Sequence, residues 1–261
     1  MKRRKIRLWH IPHSTLFRTL PDEIMMQRGI FVIILTFWNV FPAKSFFLPS
    51  DPVSSSLSSS QPISTLKEQR KVNLITFDLD DTLFPIGPVV QDANDAMFQT
   101  LADLDYPEAC LDGYTAACKA IRKSNYQPGV SNPITYSELR RRAIQIEMEN
   151  CRKSWNDDGK AKDLLEDHIV VEKSFNSWFE ERHASAERNL FPDAIDMLKS
   201  LKEEYPDVCI GAVTNGRGNP LYMHKTIKPY FDFCVSGEDE GVFPNRKPHP
   251  GIFEATLSKA I

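Results

Sequence analysis

The chain lacks any Cys-x-x-Cys pair, and its five cysteines, Cys110, Cys118, Cys151, Cys209 and Cys234, form an odd, scattered set. That argues against zinc ligation and against a disulfide framework, and it favours a reducing compartment. Two of them, Cys209 and Cys234, fall in apolar stretches that read as core strands, where cysteine behaves as a small hydrophobe. The six histidines are likewise without metal-ligand spacing. A membrane-length apolar span is missing too: the run Ile30 to Phe41 is 12 residues, short of the roughly 20 a transmembrane helix needs. Negative charge is scarce at one end only. Residues 1–70 carry ten Lys or Arg against four Asp or Glu, whereas the remainder carries 22 against 31. An acidic body of this kind argues against nucleic acid as a partner, because backbone binding needs many phosphate-neutralising cations.

What the first 70 residues do contain is order in composition. The apolar run follows Arg28 and ends at Pro42-Ala43-Lys44-Ser45, with Ala43 and Ser45 at small-residue positions suited to cleavage before Phe46. This predicts a signal peptide over 25–45, with Met25 or Met26 a tidier start than Met1. From Phe46 to Leu66 there are eight serines and one acid, Asp51, a composition that cannot build a core and has the character of a transit peptide. A signal peptide followed by such a tract over 46–70 resembles the two-part presequence of secondary plastids. Delivery to the plastid (chloroplast) stroma is therefore expected, with no stable membrane anchor after processing; secretion with a Ser-rich linker is the alternative.

Beyond residue 70 three short runs carry chemistry. Leu74-Ile75-Thr76-Phe77 is apolar and β-branched and delivers Asp78, Asp80 and Asp81 into a turn. Alternate side chains of a strand share a face, so Asp78 and Asp80 would address one site where the strand ends. Two carboxylates crowded there are unfavourable unless a cation or a reaction uses them. A second apolar run, Val208 to Val213, ends in Thr214-Asn215-Gly216 and offers a hydroxyl and backbone N–H groups to an anion. The third run is Lys247-Pro248-His249-Pro250, in which the lysine supplies a compact positive charge and proline fixes the entry to a helix.

These three motifs, in this order and in this strand context, resemble those of the haloacid dehalogenase-like superfamily of Asp-nucleophile hydrolases. The resemblance implies that Asp78 attacks phosphorus and that Asp80 shuttles the proton. Thr214 and Lys247 complete the catalytic set; Thr82, Asn215 and Gly216 bind substrate; Mg2+ is held by Asp78 and Asp80. It further implies a small phosphorylated metabolite as partner. The sequences around Asp78, Gly87-Pro88-Val89-Val90, Trp178-Phe179-Glu180-Glu181-Arg182 and Thr214-Asn215-Gly216 are similar to a bacterial branch containing a ribitylaminouracil-phosphate phosphatase, so a riboflavin-pathway intermediate is one candidate. Haloacid dehalogenation is a rival within the superfamily, opposed by Asp80, and a catalytically inactive binding protein is a rival outside it.

The remaining pattern supports an α/β fold. Strands alternating with helices over 71–84 and 190–261 predict a Rossmann-like parallel sheet with the site at the strands' carboxyl ends. Phe191-Pro192-Asp193 opens one helix, a second is expected from Pro220, and a short strand over Phe231 to Val235. Between Pro85 and Asn189 no strand is evident. Helical stripes at Ala93, Met97, Leu101 and Leu104, at Leu139, Ala143 and Ile146, and at Leu164, Val171, Phe175 and Trp178 predict an inserted all-helical cap over 85–189, as in the superfamily's first cap class. Arg140-Arg141-Arg142 reads as a solvated helix face, with an arginine reaching a substrate phosphate as the minority alternative. The superfamily's fourth motif, a strand ending in Gly-Asp, is not present, and the acidic cluster Glu238-Asp239-Glu240 is not assigned to metal. The sequence is accordingly expected to be a shortened form, with one edge of the Asp78 strand left unpaired. The oligomeric state has no signature in the sequence.

Overall fold

The computed structural model describes the backbone of residues 32–35 and, with their side chains, residues 73–130, 133–155 and 164–260. The presequence expected over 1–70 lies outside these residues, apart from the strand β1, Val32–Leu35. The expected β-runs appear as β2, Leu74–Phe77, β3, Cys209–Thr214, and β4, Phe233–Ser236. Helices α1, Ile86–Asp103, α2, Leu111–Ser124, α3, Tyr136–Ser154, and α4, Asp167–Arg188, form the insertion. Helix α5, Ala194–Glu204, precedes β3, and α6, Pro250–Ala260, follows β4.

The sheet order is β1-β2-β3-β4. Strands β2, β3 and β4 run parallel, with Phe77 opposite Ala212 and Thr214 opposite Ser236. Alternation then assigns the faces. Ile75, Phe77, Ile210 and Ala212 pack with Ala194, Leu198 and Leu201 of α5, while Leu74, Val213 and Val235 pack with Ile252 of α6. A parallel sheet buried on both faces needs such near-continuous apolar strands, and the result is the Rossmann-like α/β core. At the centre, a Cβ on Gly211 would lie 2.3 Å from the Phe233 ring, so only glycine lets that ring cross the strand.

Two expectations are corrected. The edge of β2 is paired, because Val32–Leu35 adds to it antiparallel, with Val32 opposite Phe77 and Leu35 opposite Leu74. In the unprocessed chain the donors and acceptors expected to stand open are satisfied by Val32–Leu35, part of the apolar run read as a signal peptide. The helix expected from Pro220 is also replaced, by two three-residue 3-10 turns, Pro220–Tyr222 and Lys228–Tyr230. Pro229 has no N–H to continue a helix, and the Asn219 side chain spends its cap on Leu221 alone.

The four inserted helices enclose a core of their own, including Met97, Leu101, Ile144, Met148, Phe175 and Trp178. Helix α2, which carries none of the stripes expected over 85–189, buries Tyr114, Ala117 and Ile121. Leu164 precedes α4 rather than belonging to it. Among the described residues no helix is long and apolar enough to cross a membrane.

Candidate active site

Asp78 follows the last residue of β2, and parallel pairing brings the end of β3 alongside it. The Asp78 Oδ1 atom accepts from Leu79 N–H at 2.8 Å and lies 2.8 Å from Lys247 Nζ. Its Oδ2 makes no hydrogen bond to a described residue, and the side chain is 35% exposed. One oxygen is therefore held twice, in a side chain that stays partly exposed.

Lys247 is fixed from several sides. Its Nζ donates to the Val213 carbonyl at 2.7 Å. Its backbone N–H donates to Asn215 Oδ1 at 2.8 Å, and Asn215 Nδ2 donates back to the Lys247 carbonyl at 3.2 Å. This reciprocal pair ties the third motif to the second, so Asn215 acts here as a positioning group for the lysine. Thr214 Oγ1 accepts from Gly216 N–H at 3.2 Å, and Gly216 is anchored in turn by Ser236 Oγ donating to its carbonyl at 2.6 Å. Asp78, Thr214, Asn215, Gly216 and Lys247 are thus brought together. Thr82 is not joined to them: it is buried in the turn after Asp81, its N–H donates to the Leu79 carbonyl, and its hydroxyl makes no hydrogen bond to the others. That turn closes with Asp81 at a φ of 57° and its carboxylate accepting from Ile86 N–H at 3.0 Å, which starts α1.

Asp80 has a partner that motif reading did not supply. Arg182, on α4, is 4% exposed at its side chain and donates from Nη2 to Asp80 Oδ1 at 2.9 Å. Its Nη1 is buried without a hydrogen-bond partner. The contact crosses 102 positions of sequence and links the insertion to Asp80. A charged contact of this kind, half buried and geometrically fixed, orients the Asp80 carboxylate.

The same strapping recurs nearby. Glu238, after β4, accepts from Tyr136 N–H at 2.6 Å and Ser137 Oγ at 2.6 Å. It lies at the N-terminus of α3, where a carboxylate is favoured by the helix dipole. Asp239 accepts from Ser236 N–H at 3.0 Å. Both acids are engaged in structure. Arg246, buried, donates to the Ile134 carbonyl at 3.2 Å. Of the three arginines expected on a solvated face, Arg141 and Arg142 pair with Glu172 and Glu138 at the surface. Arg140 does not: its guanidinium lies 3.6 Å over the Trp178 ring and its Nε is buried and unpartnered.

His183 fastens α4 to the loop after β3. Its Nδ1 is 2.8 Å from the Phe179 carbonyl and its Nε2 accepts from Asn219 N–H at 3.2 Å, an arrangement that requires the neutral ring. Burial pushes its pKa down to about 4 from an ordinary 6.5. Below 6.5 the unfolded chain takes up a proton that the folded chain refuses, so this contribution is full above pH 6.5 and is lost as pH falls toward 4. The expected loss is at most about 3 kcal/mol. Chemical denaturation across that window should show it, and His183→Gln should flatten the slope; an unchanged slope would contradict the assignment.

Among the described residues no three His, Cys, Asp or Glu side chains gather as a metal site. The donor set present, the Asp78 carboxylate and the Asp80 backbone carbonyl, nevertheless suits magnesium, which takes one or two protein oxygens and fills its shell with water and phosphate oxygens.

A family model described as haloacid dehalogenase-like hydrolase matches residues 72–260. The chain belongs to that family. Among solved structures, a predicted phosphoglycolate phosphatase from Haemophilus somnus 129pt shares 20% identity at a TM-score of 0.42, over 72% of this chain and 70% of that one. No curated protein matches the chain. Within the haloacid dehalogenase-like hydrolases, the motifs at Asp78, Thr214 and Lys247 are the ones this structure draws into one site.

Proposed function

We propose that the protein is a magnesium-dependent phosphomonoesterase acting on a small phosphorylated metabolite through an aspartyl-phosphate. The observation that carries this reading is the Asp78–Lys247 contact at 2.8 Å, with Asp80 two residues on and the Thr214-Asn215-Gly216 turn beside it. Asp78 Oδ2 attacks phosphorus, the bond from phosphorus to the leaving oxygen breaks, and a proton on Asp80 passes to that oxygen. Asp80 then takes a proton from water as the water attacks the phosphoryl group, and the Asp78 carboxylate is regenerated. Lys247, the Thr214 hydroxyl and the Asn215 N–H stabilise the charge on the transferring oxygens, while the Gly216 N–H donates to Thr214 Oγ1 and holds that hydroxyl in place. Magnesium, held by Asp78 and Asp80, would neutralise phosphate charge as it approaches two carboxylates. The inserted helices act as a cap, with Arg182 as the residue that aligns Asp80. A carboxylate poised for proton transfer is superfluous for halide departure, which favours phosphate esters over haloacids. The riboflavin-pathway ester suggested by the sequence is one narrower candidate within this class.

Phosphate release from a panel of phosphate esters tests the reading. Turnover should appear with magnesium and vanish with a chelator, returning on re-addition; no turnover of any ester would leave the inactive-binder alternative standing. Plastid delivery is proposed from the sequence of residues 1–70 alone. Fused to a fluorescent protein, that segment should enter the plastid of a secondary-plastid alga, and Phe46→Ala should divert it. Secretion of the unaltered fusion would refute it.

A further inference from the structure

The helical insertion contains a cavity that the chemistry above leaves unused. It holds about 210 Å³ between α1, α2 and α3, and its wall includes Lys119, Arg122 and Arg140 but no carboxylate. None of these three cations forms an ion pair with a described residue. Lys119 and Arg122 are exposed at the mouth. Arg140 lies deeper, with its Nε buried and unpartnered, and burial lowers its pKa. The wall thus carries three cations and no acid; Arg140 Nη1 donates to the Tyr136 carbonyl at 3.4 Å, but its Nε is a buried donor without a partner, a costly state that a bound anion would relieve. Tyr114, Tyr136 and Asn94 line the same space and provide aromatic and amide surface.

The cavity is connected to the candidate site through side chains of α4. Asn94 accepts the Trp178 indole N–H at 3.2 Å, and Arg140 stacks on that same indole. One turn further along α4, Arg182 holds Asp80. Tyr136, from the opposite wall, donates its N–H to Glu238 beside β4. The volume suits part of a substrate rather than a whole cofactor.

We propose that this cavity is a second anion subsite, which receives a carboxylate or phosphate carried by the leaving group of the phosphoryl substrate. The inference rests on the phosphatase reading and narrows its substrate class to doubly anionic esters. It disfavours the riboflavin-pathway candidate, whose leaving group is uncharged.

Binding is the deciding measurement, because it does not need turnover. Calorimetry on the full chain without magnesium should show 2-phosphoglycerate binding at least about tenfold more tightly than glycerol 2-phosphate, or glucose 1,6-bisphosphate more tightly than glucose 6-phosphate. The pair that responds tells carboxylate from phosphate. In the Lys119→Gln, Arg122→Gln double variant the preference should collapse toward unity, and Lys119→Arg with Arg122→Lys should restore it. Equal binding within both pairs, or a preference unchanged in the neutralised variant, would overturn the subsite. With magnesium, the same preference should appear as a lower KM. Absence of turnover with every ester would sink the phosphatase reading while the binding preference still decides the subsite.

Discussion

Asp78→Asn should lose at least about a thousandfold in steady-state turnover of a phosphate ester, equivalent to roughly 4 kcal/mol of transition-state stabilisation. The amide lacks the charge and lone-pair availability to attack phosphorus. The loss should be chemical rather than structural. Asparagine keeps an oxygen to accept from Leu79 N–H, the role Asp78 Oδ1 plays at 2.8 Å, and a side chain 35% exposed takes little part in packing. Thermal unfolding and turnover measured on the same preparation check this. Near-normal activity in a folded variant would contradict the nucleophile assignment.

The second large effect belongs to Lys247. Its Nζ spans Asp78 Oδ1 at 2.8 Å and the Val213 carbonyl at 2.7 Å, with its side chain 16% exposed. Lys247→Ala removes the cation that the described residues place on Asp78 and should cost about a hundredfold to a thousandfold in kcat, the usual range for a preorganised donor at developing charge. Lys247→Arg should recover little. A planar guanidinium cannot occupy the position of a compact ammonium between a carboxylate and a carbonyl. Full rescue by arginine would mean that Lys247 supplies only diffuse charge.

Much of this site was legible because strand ends are legible. The runs before Asp78 and Thr214 are apolar, short and β-branched, and parallel pairing then places their termini side by side without further information. Lys247 followed from motif order. Arg182 and Glu238 were not recoverable in the same way, since each meets its partner across about a hundred residues and the rotation of a helix decides which side chain points inward. Arg140 illustrates this. It is the first of three consecutive arginines, yet it alone turns onto Trp178. Helix α2 is a different omission: Tyr114, Ala117 and Ile121 form a readable stripe, blurred by Ala116, Cys118 and Ala120, which carry small apolar side chains round the other faces. The pairing of β1 with β2 joins segments some forty residues apart; an apolar run with presequence character carries no signal of strand partnership.

The most direct test of the account is to trap the covalent intermediate. The protein mixed with magnesium and a radiolabelled phosphate ester, quenched in acid and digested, should yield label on the peptide containing Asp78, labile to hydroxylamine as an acyl phosphate is. With an aryl phosphate, whose leaving group needs no proton, Asp80→Asn should accumulate that label because water attack then lacks its base, and Asp78→Asn should abolish it. Label on another residue, or rapid hydrolysis of the ester with no label in either wild-type or Asp80→Asn protein, would contradict the account.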